Sequence, residues 1–144
     1  MNETGVFVLE VAARPIGGLC SRALRFESGA GLSALEDVLL RHALGESVRQ
    51  FSREACASAV MMIPVPADGL YRNVEGLEAA MAVPGIEDIV VTAKPGQRLV
   101  PFPEGASYPG FIFARAAEPD MASAAVRAAH RRLYFVLDQM VPVI

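Results

Sequence analysis

One short segment near the start of the chain holds the residues whose types and spacing could do chemistry. It is VFVLEVAARPIGGLCSRAL, residues 6–24. An acid, Glu10, sits inside an apolar run, an arginine, Arg14, follows four residues later, and a glycine pair, Gly17 and Gly18, comes next. A carboxylate in an otherwise apolar strand costs several kcal/mol unless it is paired or bound to a cation. Arg14 could fold back and pair with it. Alternatively Glu10 could ligate Mg2+, which prefers oxygen ligands, and leave Arg14 to face a phosphate or acyl-phosphate oxygen. Gly17 and Gly18 would let backbone approach a ligand closely, and amides at a following helix start favour an anion. A cation ligand, a fixed cation and free amides within nine residues suit phosphoryl transfer. The same residues also suit a plainer role, a strand-end salt bridge followed by a glycine turn.

The surrounding elements must position this segment. Asn2–Gly5 has turn composition and Val6–Val11 reads as a strand, so the first strand of that hairpin is expected upstream. Leu19–Phe26 reads as a short helix and 28–31 as a loop. Ser33 and Glu36 have capping-box spacing, and Leu35, Val38, Leu39 and His42 make a helical stripe closed by Gly45. Ala57–Val65 reads as a buried strand, Asp68-Gly69 as a turn, and Glu75–Ala82 as a short helix. Ile86–Ala93 and the segment from Leu99 read as a hairpin about Pro95-Gly96. Gly110–Arg115 is a further strand. From Pro119 a long helix is expected, with Met121, Ala125, Leu133, Val136, Leu137 and Met140 buried, and Val141–Ile144 as a short last strand. The order predicts an α+β protein: a strand, glycine-rich loop and helices, then a small antiparallel sheet with helices packed on one face. The boundary is placed near Gly45–Arg53, giving regions 1–53 and 54–144.

Composition narrows the partners. The chain has 144 residues, 53% hydrophobic and 20% charged, with a net charge of −3. It has apolar material for a core, and no basic block that would suit nucleic acid or anionic membrane. No signal peptide or spanning run is seen, which suggests a cytoplasmic protein. Two cysteines, Cys20 and Cys56, read as reduced thiols rather than a disulfide framework. Tyr71, Arg72, Tyr108 and Arg115 read as structural or solvated residues, and His42 as a helix-edge residue.

The segment VLEVAARPIGG resembles the last strand and loop of the ATP-grasp fold. Ligases of that fold carry a Glu-x-(Asn or Ala)-x-Arg pattern there, and Glu10, Ala12 and Arg14 stand at its positions. GLSALEDVLLRHALG is similar to the helix after that loop. MMIPVPADG, GLEAAMAVPGI and PFPEGASYPGFIFARA resemble the C-terminal domain of the L-amino acid ligase subfamily. The likeness runs over essentially the whole chain and is most specific over residues 8–18.

The resemblance implies an ATP-dependent carboxylate–amine ligase working through an acyl phosphate. ATP and Mg2+ would be its cofactors and Glu10 one of two acidic metal ligands. Arg14 would stabilise the acyl phosphate, and Gly17 and Gly18 would line the substrate pocket. Ala12 replaces the metal-binding asparagine of many relatives, so metal binding would lean on the carboxylates. The family's other acidic ligand, nucleotide lysines and adenine pocket lie upstream of the turn at which this sequence starts. The chain is therefore expected to be the C-terminal part of such a ligase, and to bind ATP-Mg2+ weakly or not at all alone. Its partner would be an upstream ATP-grasp subunit or fused N-terminal region, or a second copy pairing through an unpaired first strand. The alternative is a non-catalytic α+β module that dimerises or holds a small ligand.

Overall fold

The apolar run around Phe111–Phe113 becomes the middle strand of a sheet, and the remaining elements are ordered around it. The structure, a computed structural model, describes residues 5, 7, 8, 10–12, 14–105 and 107–139. A 3-10 turn, Cys20–Ala23, leads into strands β1 (Arg25–Ser28) and β2 (Gly31–Ala34) and helix α1 (Leu35–Ala43). Strands β3 (Ser52–Arg53), β4 (Ala57–Met62) and β5 (Gly69–Glu75) follow, then helix α2 (Leu77–Met81). The rest is β6 (Ile86–Val91), β7 (Arg98–Leu99), β8 (Gly110–Ala116), helix α3 (Pro119–His130) and β9 (Tyr134–Asp138). They form three antiparallel sheets of three strands, ordered β2-β1-β3, β4-β8-β6 and β7-β5-β9.

Alternation along β8 divides the interior in two. Ile112 and Ala114 join Ile63 and the α3 stripe Ala125, Val126 and Ala129 in the main core. That core continues to Tyr71, Leu99 and Phe135 of the third sheet, where the Tyr71 and Phe135 rings lie 6.0 Å apart. Phe111 and Phe113 point the other way and pack with Cys20, Leu19, Val60 and Val90. Both α2 and α3 contact the β4-β8-β6 sheet, so the fold is α+β with helices on one face of that sheet. Ile112 has no exposed surface. Ile112→Val is expected to cost about 1 kcal/mol by removing one buried methylene, read as a lower urea midpoint at unchanged slope.

Several elements differ from the sequence reading. The described residues of 6–11, namely Phe7, Val8, Glu10 and Val11, lie in no strand and are exposed; Val6 and Leu9 lie outside the described residues. Leu19–Phe26 is a single 3-10 turn followed by β1. The return strand after Pro95-Gly96 does not pair with β6. β7 instead pairs with β5, while β6 pairs with β8. The long helix stops at His130, and Tyr134–Asp138 forms β9 along β5. Met121 is exposed rather than buried. The last strand expected over 141–144 lies outside the described residues.

Helix α1 ends as its Gly45 suggests. Gly45 is left-handed at φ +79°, its amide donates to His42 and the Glu46 amide to Arg41, each at 3.0 Å. That is a Schellman closure. Its start is different: Ser33 belongs to β2, and no side chain caps the helix. Among the described residues no helix is long and apolar enough to cross a membrane.

Candidate functional site

Arg14 and the glycine pair form one loop. The Arg14 amide donates to the Ala12 carbonyl at 2.8 Å, a tight turn that reverses the chain just before Pro15. The Arg14 guanidinium then lies over Gly17, where a Cβ would stand 3.5 Å from Nη1. Gly18 is left-handed at φ +64°, and its α-carbon faces the Phe111 ring. This conformation suits glycine, and it turns Leu19 and Cys20 into the second core cluster. The structure therefore brings together Arg14, Gly17 and Gly18 at the surface and anchors them through Phe111.

Glu10 is not brought to the same point. It is exposed, and among the described residues no ion pair joins it to Arg14. The premise of a buried strand carboxylate is thus corrected: Glu10 keeps its hydration, so no compensating partner is required. Among the described residues no three histidine, cysteine, aspartate or glutamate side chains cluster as metal ligands. Mg2+ takes an octahedral oxygen set. Glu10 alone does not make one.

A charged network, invisible in the one-dimensional spacing, holds the segment behind the loop. Arg22 stacks 4.9 Å over the Phe113 ring and donates to Asp88 at 2.8 Å. Arg25 donates to both Glu87 oxygens at 3.1 and 3.3 Å, and Arg115 Nε donates to Glu87 Oε2 at 2.9 Å. Arg115 also pairs with Glu54, just beyond β3. Their side chains are 12% and 8% exposed. Burial, then the nearby Arg25 and Arg53 charges, push the Arg115 guanidinium below its ordinary value. The Ser58 hydroxyl donates to Ala23 at 2.7 Å. Residues 22–54 are thereby tied to β4, β6 and β8. The partners lie dozens of residues apart, so no sequence window could have flagged them.

The acid of the expected capping box has another partner. The side chain of buried Ser21, and then the Glu36 amide, hold the Glu36 carboxyl below its ordinary value of 4.5. A depressed folded-state pKa means stabilisation that is complete above the unfolded value and lost as pH falls through the folded one. The stability advantage of wild type over Glu36→Gln should therefore be level from pH 7 to about pH 5 and shrink below about pH 4. Urea unfolding at each pH reads it, and an advantage that grows on acidification would contradict this pairing.

Comparison with known proteins decides the family. The model of "L-amino acid ligase C-terminal domain 2" matches residues 61–138, more than half of the chain. The chain belongs to that family. This L-amino acid ligase C-terminal part, of the ATP-grasp ligase type, is matched from β4 through β9. The Arg14 loop lies outside the matched span. A search of curated proteins gives no match. Among solved structures the fold is similar to the crystal structure of L-amino acid ligase from Bacillus licheniformis, with a TM-score of 0.63 and 22% identity. That match covers 78% of this chain and 28% of the Bacillus chain, so the ligase part spans little more than a quarter of its neighbour's length.

Proposed function

We propose that this chain supplies the substrate-facing end of a carboxylate–amine ligase that works through an acyl phosphate. Residues 1–53 would be the close of an ATP-grasp domain and 54–144 the family's C-terminal domain. Membership of the L-amino acid ligase C-terminal family carries the reading. The loop chemistry agrees with it: Arg14 is a fixed cation over a glycine, with open backbone at Gly17 and Gly18. In this role Arg14 holds the negative charge that collects on the acyl phosphate, and Gly17 and Gly18 line the substrate. Glu10, exposed and apart from Arg14 here, would offer a carboxylate toward Mg2+ only together with acidic ligands from outside this segment. The remaining metal and nucleotide contacts come from an upstream ATP-grasp partner or fused region, in the cytoplasm.

On this reading the chain alone holds ATP-Mg2+ with a Kd weaker than about 1 mM, less than about 4 kcal/mol of binding. Titration calorimetry of the chain with ATP and Mg2+ checks this, and a micromolar Kd would sink the divided-site reading. ADP release with mixed amino acids is expected only once a nucleotide-binding partner is added. Release by the chain alone would equally count against it.

A further inference from the structure

Helix α3 buries one face against the sheet and leaves the opposite face open. Ala122, Ala125, Val126 and Ala129 are buried, while Asp120, Ala124, Arg127 and Arg131 are exposed. The exposed four share one helical face, with Arg131 at the C-cap still in helical conformation. At 1.5 Å per residue they form a line about 16 Å long. Met121 is 59% exposed beside that line. Among the described residues Asp120, Arg127 and Arg131 make no ion pair. An acid in the first turn and bases in the last suit the helix dipole of a single copy. They also leave one face with unpaired charges separated by sign and a small residue between them.

We propose that this face pairs with the same face of a second copy, the two α3 helices running antiparallel across a two-fold axis. In such a contact, if residue i meets residue j, then j also meets i. The α3 line is complementary to its own reverse. Asp120 of each copy stands opposite Arg131 of the other. Ala124 stands opposite Arg127, whose aliphatic stem covers the space beside the small side chain. Met121 adds apolar area on both copies, and the two helix dipoles are opposed. A parallel pairing would set Asp120 against Asp120 and Arg131 against Arg131. A polyanion would meet Asp120 on the same line, and a polycation would meet the two arginines. The contact is short, well below the roughly 800 Å² per partner of a stable interface. The dimer is therefore a weak one, with a Kd on the order of 0.1–1 mM. It does not depend on the ligase reading, and it uses a different face from residues 6–11.

The test follows the 15N-labelled full chain by NMR and sedimentation equilibrium from about 0.02 to about 2 mM. Concentration-dependent shifts are expected at the amides of residues 120–131, with the mass rising toward that of a dimer. Raising NaCl from about 0.05 to about 0.5 M should weaken association several-fold. Asp120→Arg and Arg131→Asp should each weaken it about tenfold or more, because like charges then face each other. An equimolar mixture of the two variants should associate about as tightly as wild type, since each contact again joins an arginine to an aspartate. Matching circular dichroism shows that both variants are folded, and the wild-type titration decides without them. A mass that stays monomeric to about 2 mM overturns the proposal. So do shifts confined to other faces, association insensitive to salt, and a mixture no tighter than either variant alone.

Discussion

Gly76→Ala is expected to remove about 4 kcal/mol of stability or more, whereas Gly96→Ala, with the same φ of +81°, is expected to remove about 1 kcal/mol. Both glycines are left-handed, so both variants carry the steric cost of a side chain in that region. Only one is crowded. A Cβ on Gly96 meets nothing within 4 Å, but on Gly76 it would run into the backbone carbonyl of Arg132, with Leu133 Cα 3.8 Å away. A backbone obstacle cannot rotate aside as a side-chain end would. Gly76 stands at the N-terminal cap of α2, where β5 ends, and the 131–133 turn crosses directly over it. Arg132 Nη1 also donates to the Ala79 carbonyl at 2.6 Å, fastening the turn to α2. Relieving the clash therefore means moving the turn that starts β9. Urea unfolding of the two variants measures the contrast. Equal losses would mean that the crossing is not close. Typical domain stabilities of 5–15 kcal/mol make the Gly76 variant a marginal fold.

That same crossing explains what the sequence hid. From Met121 through Met140 the apolar residues keep near-helical spacing, and no glycine or proline breaks the run. Helix and strand are locally indistinguishable there. What ends α3 at His130 is the empty flank of β5, whose pairing groups are met by Phe135–Asp138. β5 was hidden in turn by its own irregularity. A register shift between Tyr71 and Asn73 breaks the pairing. The inward residues Tyr71 and Val74 are therefore three apart instead of two, which erases the alternation that betrays a strand. The capping-box spacing of Ser33 and Glu36 misled for a related reason. Ser33 was taken by the β1–β2 hairpin, and Glu36 by Ser21 from a different element. Where local and long-range demands agreed, the sequence was legible: Pro119 opens α3, Gly45 closes α1, and the Phe-Ile-Phe run is the buried strand at the centre of the middle sheet.

The candidate site was legible to a similar depth. Residue types located the Arg14 loop, because an arginine followed by two glycines needs no long-range partner to fold as a turn. They did not locate what holds it. The apolar groups behind Gly18 come from β4, β6 and β8, and the ion pairs behind Arg22 and Arg25 span more than sixty residues.

The buried pair of Glu54 and Arg115 gives the second large effect. Glu54→Ala is expected to cost about 3 kcal/mol, since it strips the partner from a guanidinium already largely removed from water. Glu87 remains on Nε, but Arg25 draws on the same carboxylate. One acid would then serve two arginines, with Arg53 adding like charge. The double variant Glu54→Leu/Arg115→Met is expected to lie within about 1 kcal/mol of wild type, because a packed apolar pair avoids both desolvation costs. A Glu54→Ala loss below about 1 kcal/mol would show that the pair is effectively solvated. The position of the pair adds a second readout. Glu54 follows β3, which pairs with β1, and β1 follows the turn that carries Arg22. Loosening Glu54 should therefore raise amide exchange in Arg25–Ser28 while β5 and β9 stay protected. If exchange rises evenly across all three sheets, the pair stabilises the whole fold. If it rises in β1 alone, the pair is a local mount for the segment that follows the Arg14 loop.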